Sequence, residues 1–442
     1  MLKKIIKYIS IYLAIIIFFI VSLVAVSSFK KEFLTENVKK SAEVLLSEGN
    51  RKVIYIPYKD MDMQFDNYTD ALMINTAYSI DSQKPLYSAF VARKNYIPNI
   101  TTEIYEDVPG ELKSSSKYSR HNEVGELNDL VNNEKAESFE YARYWHGYLI
   151  FLRPLLILFN INQIRIIILA CILAYLIYKK INIIISIIFL TSLLGVEYFY
   201  LGFSMQGVFI FLITMISSTI LVERYEKIKD FGMLFFITGM LTNFFDFLTV
   251  PMVTYAIPLT LYFLLKRREN NELNAKKIII DIIKYGALWG IGYGATWFTK
   301  WALTDILFGK NIISTALMQV SYRSNGYKTY NVLKVIGRNM IYIISQLLVN
   351  VIITILLAKL YEIIKMKKVE KISITNKEIF IAILPYILIS IMPFIWYALL
   401  QNHSYYHAFF TYRNLILTSL GICLCLEETL TLQFKTKGDI EK

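Results

Sequence analysis

The sequence predicts an all-α polytopic membrane protein with about ten transmembrane helices and a large external loop domain of mixed composition after the first helix. Of its 442 residues, 55% are hydrophobic, against roughly 45–50% in soluble domains. Only 19% are charged, and apolar runs long enough to cross a bilayer recur from Ile5 to Leu426. These observations exclude an ordinary soluble enzyme.

Residues 1–29 predict a first transmembrane helix that is retained. Lys3, Lys4 and Lys7 precede an apolar stretch longer than the roughly 7–15 residues of a signal-peptide core, and no cleavage site of the A-x-A kind follows it. Because Lys and Arg collect on the cytoplasmic side of membranes, the basic start predicts a cytoplasmic N-terminus.

The next segment, residues 30–163, predicts an external loop domain with interfacial helices. Residues 30–143 are polar and mixed in charge, and they are too many for a simple hairpin. The apolar run 148–159 that follows would form about 18 Å of helix and contains Arg153 and Pro154. It is too short to span comfortably, so we expect it to lie in the outer interface.

Nine further apolar runs predict the other transmembrane helices. They are residues 164–178, 181–197, 206–222, 231–246, 250–265, 278–298, 339–363, 378–399 and 408–426. They divide the rest of the chain into a transmembrane core at 164–298, a second external loop at 299–338, and C-terminal helices with a short cytoplasmic tail at 339–442.

The distribution of Lys and Arg supports this topology. If run 148–159 does not span, the predicted cytoplasmic loops are rich in Lys and Arg, whereas the short external turns at 198–204, 246–250 and 400–407 contain none. If that run did span, every later loop would change sides and the positive-inside trend would fail. We therefore expect both termini to be cytoplasmic.

Polar residues at the external ends of the helices form the candidate site. All four histidines fall there: His121, His146, His403 and His407. Arg413 lies about one turn inside the last apolar run, where a charged side chain is costly and is a functional candidate by default. Interfacial hydrogen bonding is the alternative role for each histidine, and a structural ion pair is the alternative for Arg413.

Two acidic residues at the same level are candidate companions for Arg413. Glu197 follows the third predicted span, and Asp246 follows the fifth within a run of Phe and Leu residues. A bare carboxylate is expensive in such surroundings, so we expect Asp246 to face a protein cavity or a cation. Hydration of a helix end is the alternative for both.

Asp66 and Asp70 are the strongest local pattern in the loop domain. They are four residues apart, so on a helix both carboxylates would face one way. Like charges at that spacing repel unless a positive group is shared, and a site that takes a proton from a hydroxyl or holds a cation would explain the pair. An acidic first turn of a surface helix is the alternative.

The external loop 299–338 contains many cations, against the positive-inside trend. They are Lys300, Lys310, Arg323, Lys328, Lys334 and Arg338. This placement predicts an anionic partner outside, most simply a phosphate or diphosphate headgroup. Nucleic acid is not expected, because no long basic stripe or nucleic-acid-binding motif is present. The sequence also lacks a P-loop, G-x-G-x-x-G, H-E-x-x-H and Cys/His metal spacing.

Together these features resemble the GT-C class of membrane glycosyltransferases. In that class a Tyr-Trp pair, a short apolar helix and an Arg lead into the second span, and Tyr144-Trp145-His146-Gly147, run 148–159 and Arg165 are similar to that passage. The segment from Asp66 to Met73 resembles the acidic catalytic motif of the class. The likeness covers the topology and roughly residues 60–180.

The resemblance implies a GT-C-like fold and an inverting transferase that moves a sugar from a polyprenyl-phosphate donor to an extracytoplasmic glycan, lipid or polymer acceptor. Asp66 or Asp70 would be the general base. The other candidates would bind the donor phosphate or the substrate: Arg413, His403, His407, Arg323, Lys300, Tyr144, Trp145, His146, Arg165, Asp246 and Glu197. The lipid-linked donor is the one ligand implied, and the sequence leaves a need for a divalent cation open.

The expected location is the plasma membrane of a bacterium, where the partners are membrane lipids, the donor and the acceptor. An envelope polysaccharide polymerase or ligase is the alternative enzyme, although such proteins typically have their large external loop later in the chain. A transporter or flippase of lipid-linked substrates is the alternative of a different class. It would be expected to have an inverted repeat and polar groups at the membrane midplane.

Overall fold

The protein is mostly helical. The computed structural model describes residues 2–58, 61–96, 122–132, 136–179, 205–268, 274–324, 330–344 and 375–433. Six helices in these ranges are long and apolar enough to cross a membrane: Leu2–Ser27, Ile161–Tyr178, Gly207–Arg224, Ala275–Phe308, Asn376–Leu399 and Ala408–Thr429. They agree with an all-α integral membrane protein.

In its described part, the loop domain packs helices against two sheets, each of two antiparallel strands. In chain order the elements are α1 (Leu2–Ser27), a 3-10 turn (Lys31–Phe33), α2 (Thr35–Glu48), β1 (Arg51–Tyr58), β2 (Met61–Asp66), α3 (Asn67–Tyr78), α4 (Pro85–Val91), β3 (Arg93–Tyr96), α5 (Glu123–Asn132), β4 (Glu137–Glu140) and α6 (Leu149–Leu158). β1 pairs with β2 antiparallel, with Arg51 opposite Asp66, and β3 pairs with β4, with Arg93 opposite Glu140.

The rest of the described chain is helical. Its elements are α7 (Ile161–Tyr178), α8 (Met205–Arg224), α9 (Gly232–Phe245), α10 (Val253–Arg268), α11 (Ala275–Phe308), α12 (Ile312–Ser324), α13 (Val332–Ile344), α14 (Asn376–Leu399), α15 (Gln401–Tyr406), α16 (Ala408–Thr411), a 3-10 turn (Tyr412–Leu415) and α17 (Ile416–Gln433). α6 is only ten residues long, about 15 Å, which is shorter than the hydrocarbon core of a bilayer.

Four of the ten expected spans have no matching long helix in the described ranges. Run 181–197 and most of run 339–363 lie outside those ranges. Runs 231–246 and 250–265 correspond to α9 and α10, which have 14 and 16 residues and are about 21 and 24 Å long. The count of ten spans therefore stays a prediction.

α11 is the longest described helix and crosses an expected boundary. The second external loop was expected to begin at residue 299, but α11 continues unbroken to Phe308 and has 34 residues, about 51 Å. The remainder of that loop contains α12 and the start of α13. The apolar run ends near residue 298 because polar residues such as Lys300, which is buried within the protein, follow it, although the helix continues.

α9 and α11 cross at close range through two glycines. A Cβ added at Gly239 would overlap the backbone carbonyl of Trp289, and one at Gly292 would overlap the carbonyl of Phe236. Because only glycine leaves room for backbone against backbone, these two residues set the distance between the helices.

The loop domain shares a core with α1 and α6. Arg153 of α6 is fully buried and its Nε donates to the Val26 carbonyl at 2.8 Å. Its other two nitrogens donate to the carbonyls of Ala77 and Phe29. These carbonyls lie at or just beyond the C-terminal ends of α1 and α3, where the helices leave acceptors unsatisfied. Arg153 therefore caps both helices at once.

Candidate functional site

Two polar clusters lie on the side of the membrane that contains the loop domain, which we call the loop-domain side. The acidic cluster consists of Glu48, Asp66, Asn67, Asp70 and Arg165. The cationic cluster consists of Tyr144, Arg323 and His403. The rings of Tyr141, Tyr144, His146 and Tyr148 contact one another and extend from the cationic cluster.

Asp66 lies at the end of β2 and caps α3. Its Oδ1 accepts a hydrogen bond from the Thr69 backbone N–H at 3.1 Å, and its Oδ2 accepts one from the Thr69 hydroxyl at 2.7 Å. Aspartate is favoured at this position because its carboxylate satisfies a free N–H of the first helical turn. The residue is 7% exposed.

Asp70 lies one turn inside α3 and is fully buried. Its Oδ1 accepts from the backbone N–H of Met205 at 3.0 Å, and its Oδ2 is 3.4 Å from an Arg165 nitrogen. Arg165 also donates to Glu48 at 3.1 Å and to the Asn67 side-chain oxygen at 2.9 Å. Arg165 thus fastens the starts of α3 and α7 to the end of α2.

The two aspartates differ from the pair that the sequence suggested. Asp66 precedes α3 as its cap, and Asp70 lies within the helix, so their carboxylates have different partners. The expected positive group is present for Asp70, and it is Arg165. This separation assigns Asp70 to holding the structure and leaves Asp66 nearer to solvent.

An apolar groove of about 460 Å³ begins beside the acidic cluster. Its walls are α6, α7, α8 and α9, and it also includes Met73 of α3 and Tyr148. Met205, whose N–H binds Asp70, lines the same groove. A hydrocarbon chain in this groove would therefore have its end next to buried polar groups of the loop domain.

The Tyr-Trp-His segment ahead of α6 is buried. The Trp145 indole donates to the Thr296 carbonyl at 2.9 Å. His146 lies between the Tyr141 carbonyl at 2.7 Å and the Tyr148 hydroxyl at 3.2 Å. Burial lowers the pKa of His146 to about 3, so the imidazole is neutral at physiological pH. Its backbone φ of 57° is rare outside glycine and is often found where a site constrains the chain.

Arg323, at the end of α12, joins three parts of the chain. Its guanidinium donates to the Tyr144 hydroxyl and to His403 Nδ1, both at 3.0 Å. Because arginine only donates, Nδ1 is the acceptor and the proton is on Nε2, which donates to the Leu248 carbonyl at 2.9 Å. Burial, with His407 and Arg323 nearby, lowers the pKa of His403 and keeps this ring neutral.

Arg413 lies in the 3-10 turn that interrupts the last span. It is 5% exposed, and its guanidinium carbon is 5.4 Å from the centroid of the Tyr412 ring. The His407 ring stacks on Phe410 at 5.1 Å and is 4.8 Å from the His403 ring. A 3-10 stretch within a helix is uncommon and often marks a functional position.

Asp246 has a different partner from the one expected. Its carboxylate accepts from the backbone N–H of Thr249 at 3.1 Å and from the Thr249 hydroxyl, which closes the turn after α9. Within the described ranges no ion pair joins Asp246 to Arg413. Glu197 and His121 lie outside the described residues.

Lys300 corrects one expectation. We expected it to bind a phosphate, but its ammonium is fully buried and donates to the carbonyls of Ala89, at 3.3 Å, and Phe90 in the last turn of α4. It also lies 5.3 Å from the Trp145 ring. The cation caps the C-terminal end of a helix, where a positive charge is favourable, and has no open path to a ligand.

The structure brings together several residues that are distant in sequence. α16 packs against β2, and α15 packs against both α12 and α13. The strand that ends at Asp66 therefore lies against the turn between α14 and α17, which contains His403 and His407. Arg165 reaches the acidic segment directly, and Arg323 connects the Tyr-Trp segment with the last turn.

Sequence reasoning missed the buried ion cluster of Lys94, Glu123 and Glu126. Lys94 Nζ is 2.8 Å from Glu126 Oε2 and also binds Glu123. Burial raises the pKa of Glu126 to about 7 although Lys94 lowers it. The charges of Glu123 and Asp66 both act on the phenol of Tyr68, so this cluster adjoins the acidic cluster. The i, i+3 spacing of the two glutamates on a helix was the available signal.

Chemically, the arrangement offers a buried carboxylate at the start of α3, a fixed set of cations and an apolar groove. Within the part of the chain that the structure describes, no group of three or more His, Cys, Asp or Glu side chains is arranged to hold a metal ion. The chain matches no family model, no curated protein and no solved structure. The functional argument therefore depends on the site itself.

Proposed function

We propose that this protein is a GT-C-like membrane glycosyltransferase that moves a sugar from a polyprenyl-phosphate donor to an acceptor hydroxyl, with inversion. In this proposal the loop-domain side is the external side of a bacterial plasma membrane, and both termini are cytoplasmic. The single observation that supports it most is the apolar groove that ends beside the acidic cluster, at Met205 and Asp70.

The groove fits the lipid part of such a donor. Its lining from α6 to α9 is apolar, and burial of hydrocarbon provides a non-directional attraction for an isoprenoid chain. At its end lie the buried groups of Asp70 and Arg165. A lipid anchored there would place its headgroup beside the loop domain.

Asp66 is the better candidate for the base. It lies at the end of β2 and is 7% exposed, whereas Asp70 is fully buried and bound by Arg165 and Met205. In the proposed reaction the acceptor oxygen bonds to the anomeric carbon and the bond from that carbon to the phosphate oxygen breaks. The acceptor proton passes to the Asp66 carboxylate, and polyprenyl phosphate leaves with the electron pair.

Arg413, Arg323 and His407 are the candidates for stabilising the leaving phosphate. Positive groups fixed before the reaction stabilise developing charge without having to reorganise. Arg323 is held by Tyr144 and His403, and Arg413 lies in the interrupted last span. Arg413→Lys keeps the charge but loses the planar fork, so we expect weaker donor binding even in that variant.

The test is transfer by the purified full chain in liposomes supplied with a panel of polyprenyl-phosphate sugars. Release of polyprenyl phosphate, measured by mass spectrometry, should occur with the wild type and fall sharply in Asp66→Asn. Asp129→Asn is the matched control, since this half-buried aspartate lies in α5 of the same domain. Equal release by wild type and Asp66→Asn would contradict the assignment of the base.

A transporter or flippase of lipid-linked substrates is the second candidate. The interruption of the last span by a 3-10 turn containing Arg413 and Asn414 favours it, because broken spans with polar residues are common in transporters. The same liposomes distinguish the two. Movement of intact donor across the membrane without release of polyprenyl phosphate would identify a transporter.

A further inference from the structure

The cations of the second external loop have different partners, and two of them form no ion pair with a described carboxylate. Lys310 pairs with Glu140 at 2.7 Å, and Arg323 donates to Tyr144 and His403. Lys300 caps α4, and Lys328 is outside the described residues. Lys334 and Arg338, one turn apart on α13, form no ion pair with any described carboxylate.

Lys334 and Arg338 lie beside an aromatic ring. Lys334 Nζ is 5.6 Å and the Arg338 guanidinium carbon is 4.9 Å from the centroid of the Tyr405 ring. Tyr330 stacks on Tyr405 at 3.9 Å and donates a hydrogen bond to the Tyr406 hydroxyl at 2.8 Å. The ring attracts both cations but cannot neutralise them.

One nitrogen of this pair lacks a partner. Arg338 Nε is buried and makes no hydrogen bond to any group in the described part of the chain. A buried donor left without an acceptor costs free energy, of the order of a lost hydrogen bond. Two like charges four residues apart on a helix also repel each other. An anion bound beside the two side chains would relieve this repulsion.

The helix places an apolar strip next to the two cations. Leu333, Met340 and Ile344 are 74%, 41% and 53% exposed and lie on one face of α13. The opposite face, which includes Val335 and Tyr342, is buried against the protein. At 100° per residue, Lys334 and Arg338 fall on the border between these faces.

We propose that Lys334 and Arg338 bind the phosphate of an anionic phospholipid in the leaflet on the loop-domain side. The phosphate lies between the two cations, and an acyl chain lies along Leu333, Met340 and Ile344. The proposal does not depend on the glycosyltransferase reaction. The α13 strip is exposed and separate from the groove of α6 to α9, so it suits a lipid of the surrounding bilayer.

The measurement is native mass spectrometry of the full-length protein released from micelles that contain phosphatidylglycerol. At about 1 kcal/mol per cation near a membrane surface, the dissociation constant should rise about 30-fold in the double variant Lys334→Gln/Arg338→Gln. Lys39→Gln/Lys84→Gln removes two exposed cations from the loop domain and should leave the constant unchanged.

Two further arms make the result decisive. Lys334→Gln alone changes an exposed side chain, so this variant will fold if the double variant does not, and its constant should rise about fivefold. Inorganic phosphate at millimolar concentration should not displace the lipid, and phosphatidylcholine should bind more weakly. Displacement by phosphate, equal binding of phosphatidylcholine, or unchanged constants in the folded variants would each overturn the proposal.

Discussion

At the residue scale, Asp66 and Asp70 are only four positions apart but have very different environments. Asp66 closes the first turn of α3 through Thr69 and keeps some contact with solvent. Asp70 is enclosed between the Met205 N–H and Arg165. A carboxylate whose oxygens are bound to a buried guanidinium stabilises structure, so of the two we propose Asp66 as the proton acceptor.

Asp66→Asn should therefore lower the rate of sugar transfer by about 10²-fold or more, because the amide cannot take the acceptor proton. Asparagine also caps helices well, so the thermal midpoint should stay nearly unchanged. Single-turnover rates and melting curves of the same preparations check both statements.

Asp70→Asn is the matched variant and should behave in the opposite way. The buried Arg165 would lose part of its countercharge, at a cost of about 3 kcal/mol, while the folded fraction would remain active. If Asp66→Asn kept near-normal turnover and Asp70→Asn lost it, the two roles would have to be exchanged.

The buried carboxyl group of Glu126 should make the free energy of unfolding depend on pH. Burial raises its pKa to about 7 from the usual 4.5, so between these values the folded protein holds a proton that the unfolded chain has released. The free energy of unfolding should therefore fall as pH rises from about 4.5 to about 7. Glu126→Gln should remove this slope and stabilise the protein at pH 8 by roughly 1–3 kcal/mol.

Denaturant titrations at pH 5 and pH 8 measure this difference. Glu43→Gln, in an exposed position on α2, is the control and should match the wild type at both values. A Glu126→Gln variant that is less stable than the wild type at pH 8 would mean that the ion pair with Lys94 outweighs the cost of burial.

Most site residues could be named from the sequence, but few of their partners could. A charge inside an apolar run is visible without a structure, so Arg413 could be named as a candidate. The contact between Arg165 and Glu48 joins residues 117 apart, and no local pattern reports it. Lys300 was misread because its position in the loop says nothing about the free carbonyls of α4 that it caps.

At the scale of elements, hydropathy predicted the positions of the long apolar helices well. It predicted the positions of helix ends poorly. The six long described helices all coincide with predicted apolar runs. The end of α11 was missed because Lys300 and Asp305 are polar while the backbone remains helical to Phe308. Hydropathy reports the solvent around a helix, and a helix that leaves lipid need not end there.

The crossing of α9 and α11 gives a prediction for packing. Gly239→Ala places a methyl group against the Trp289 carbonyl, so the helices must separate and stability should fall by about 1–3 kcal/mol. Gly290→Ala, on α11 where added atoms meet nothing, should be neutral or slightly stabilising. Thermal unfolding in detergent compares the two, and equal midpoints would show that the crossing can relax.

At the scale of the whole molecule, the topology is the assumption on which the functional proposal depends. A single cysteine at Lys84 should react with an impermeant thiol reagent in intact cells. A cysteine at Lys179 or Arg267 should react only after the membrane is opened, once the three natural cysteines are replaced. Labelling of position 179 or 267 in intact cells would refute the topology together with the transfer model.

Arg153 also determines the order in which the protein can be completed during biosynthesis. Val26, whose carbonyl it binds, leaves the ribosome 127 residues before Arg153 does. Until then the carbonyls of Val26, Phe29 and Ala77 lack the guanidinium that they bind in the folded protein. A nascent chain halted before residue 153 thus has α1 in the membrane before Arg153 links it to α3. Its loop domain is then exposed to chaperones and proteases.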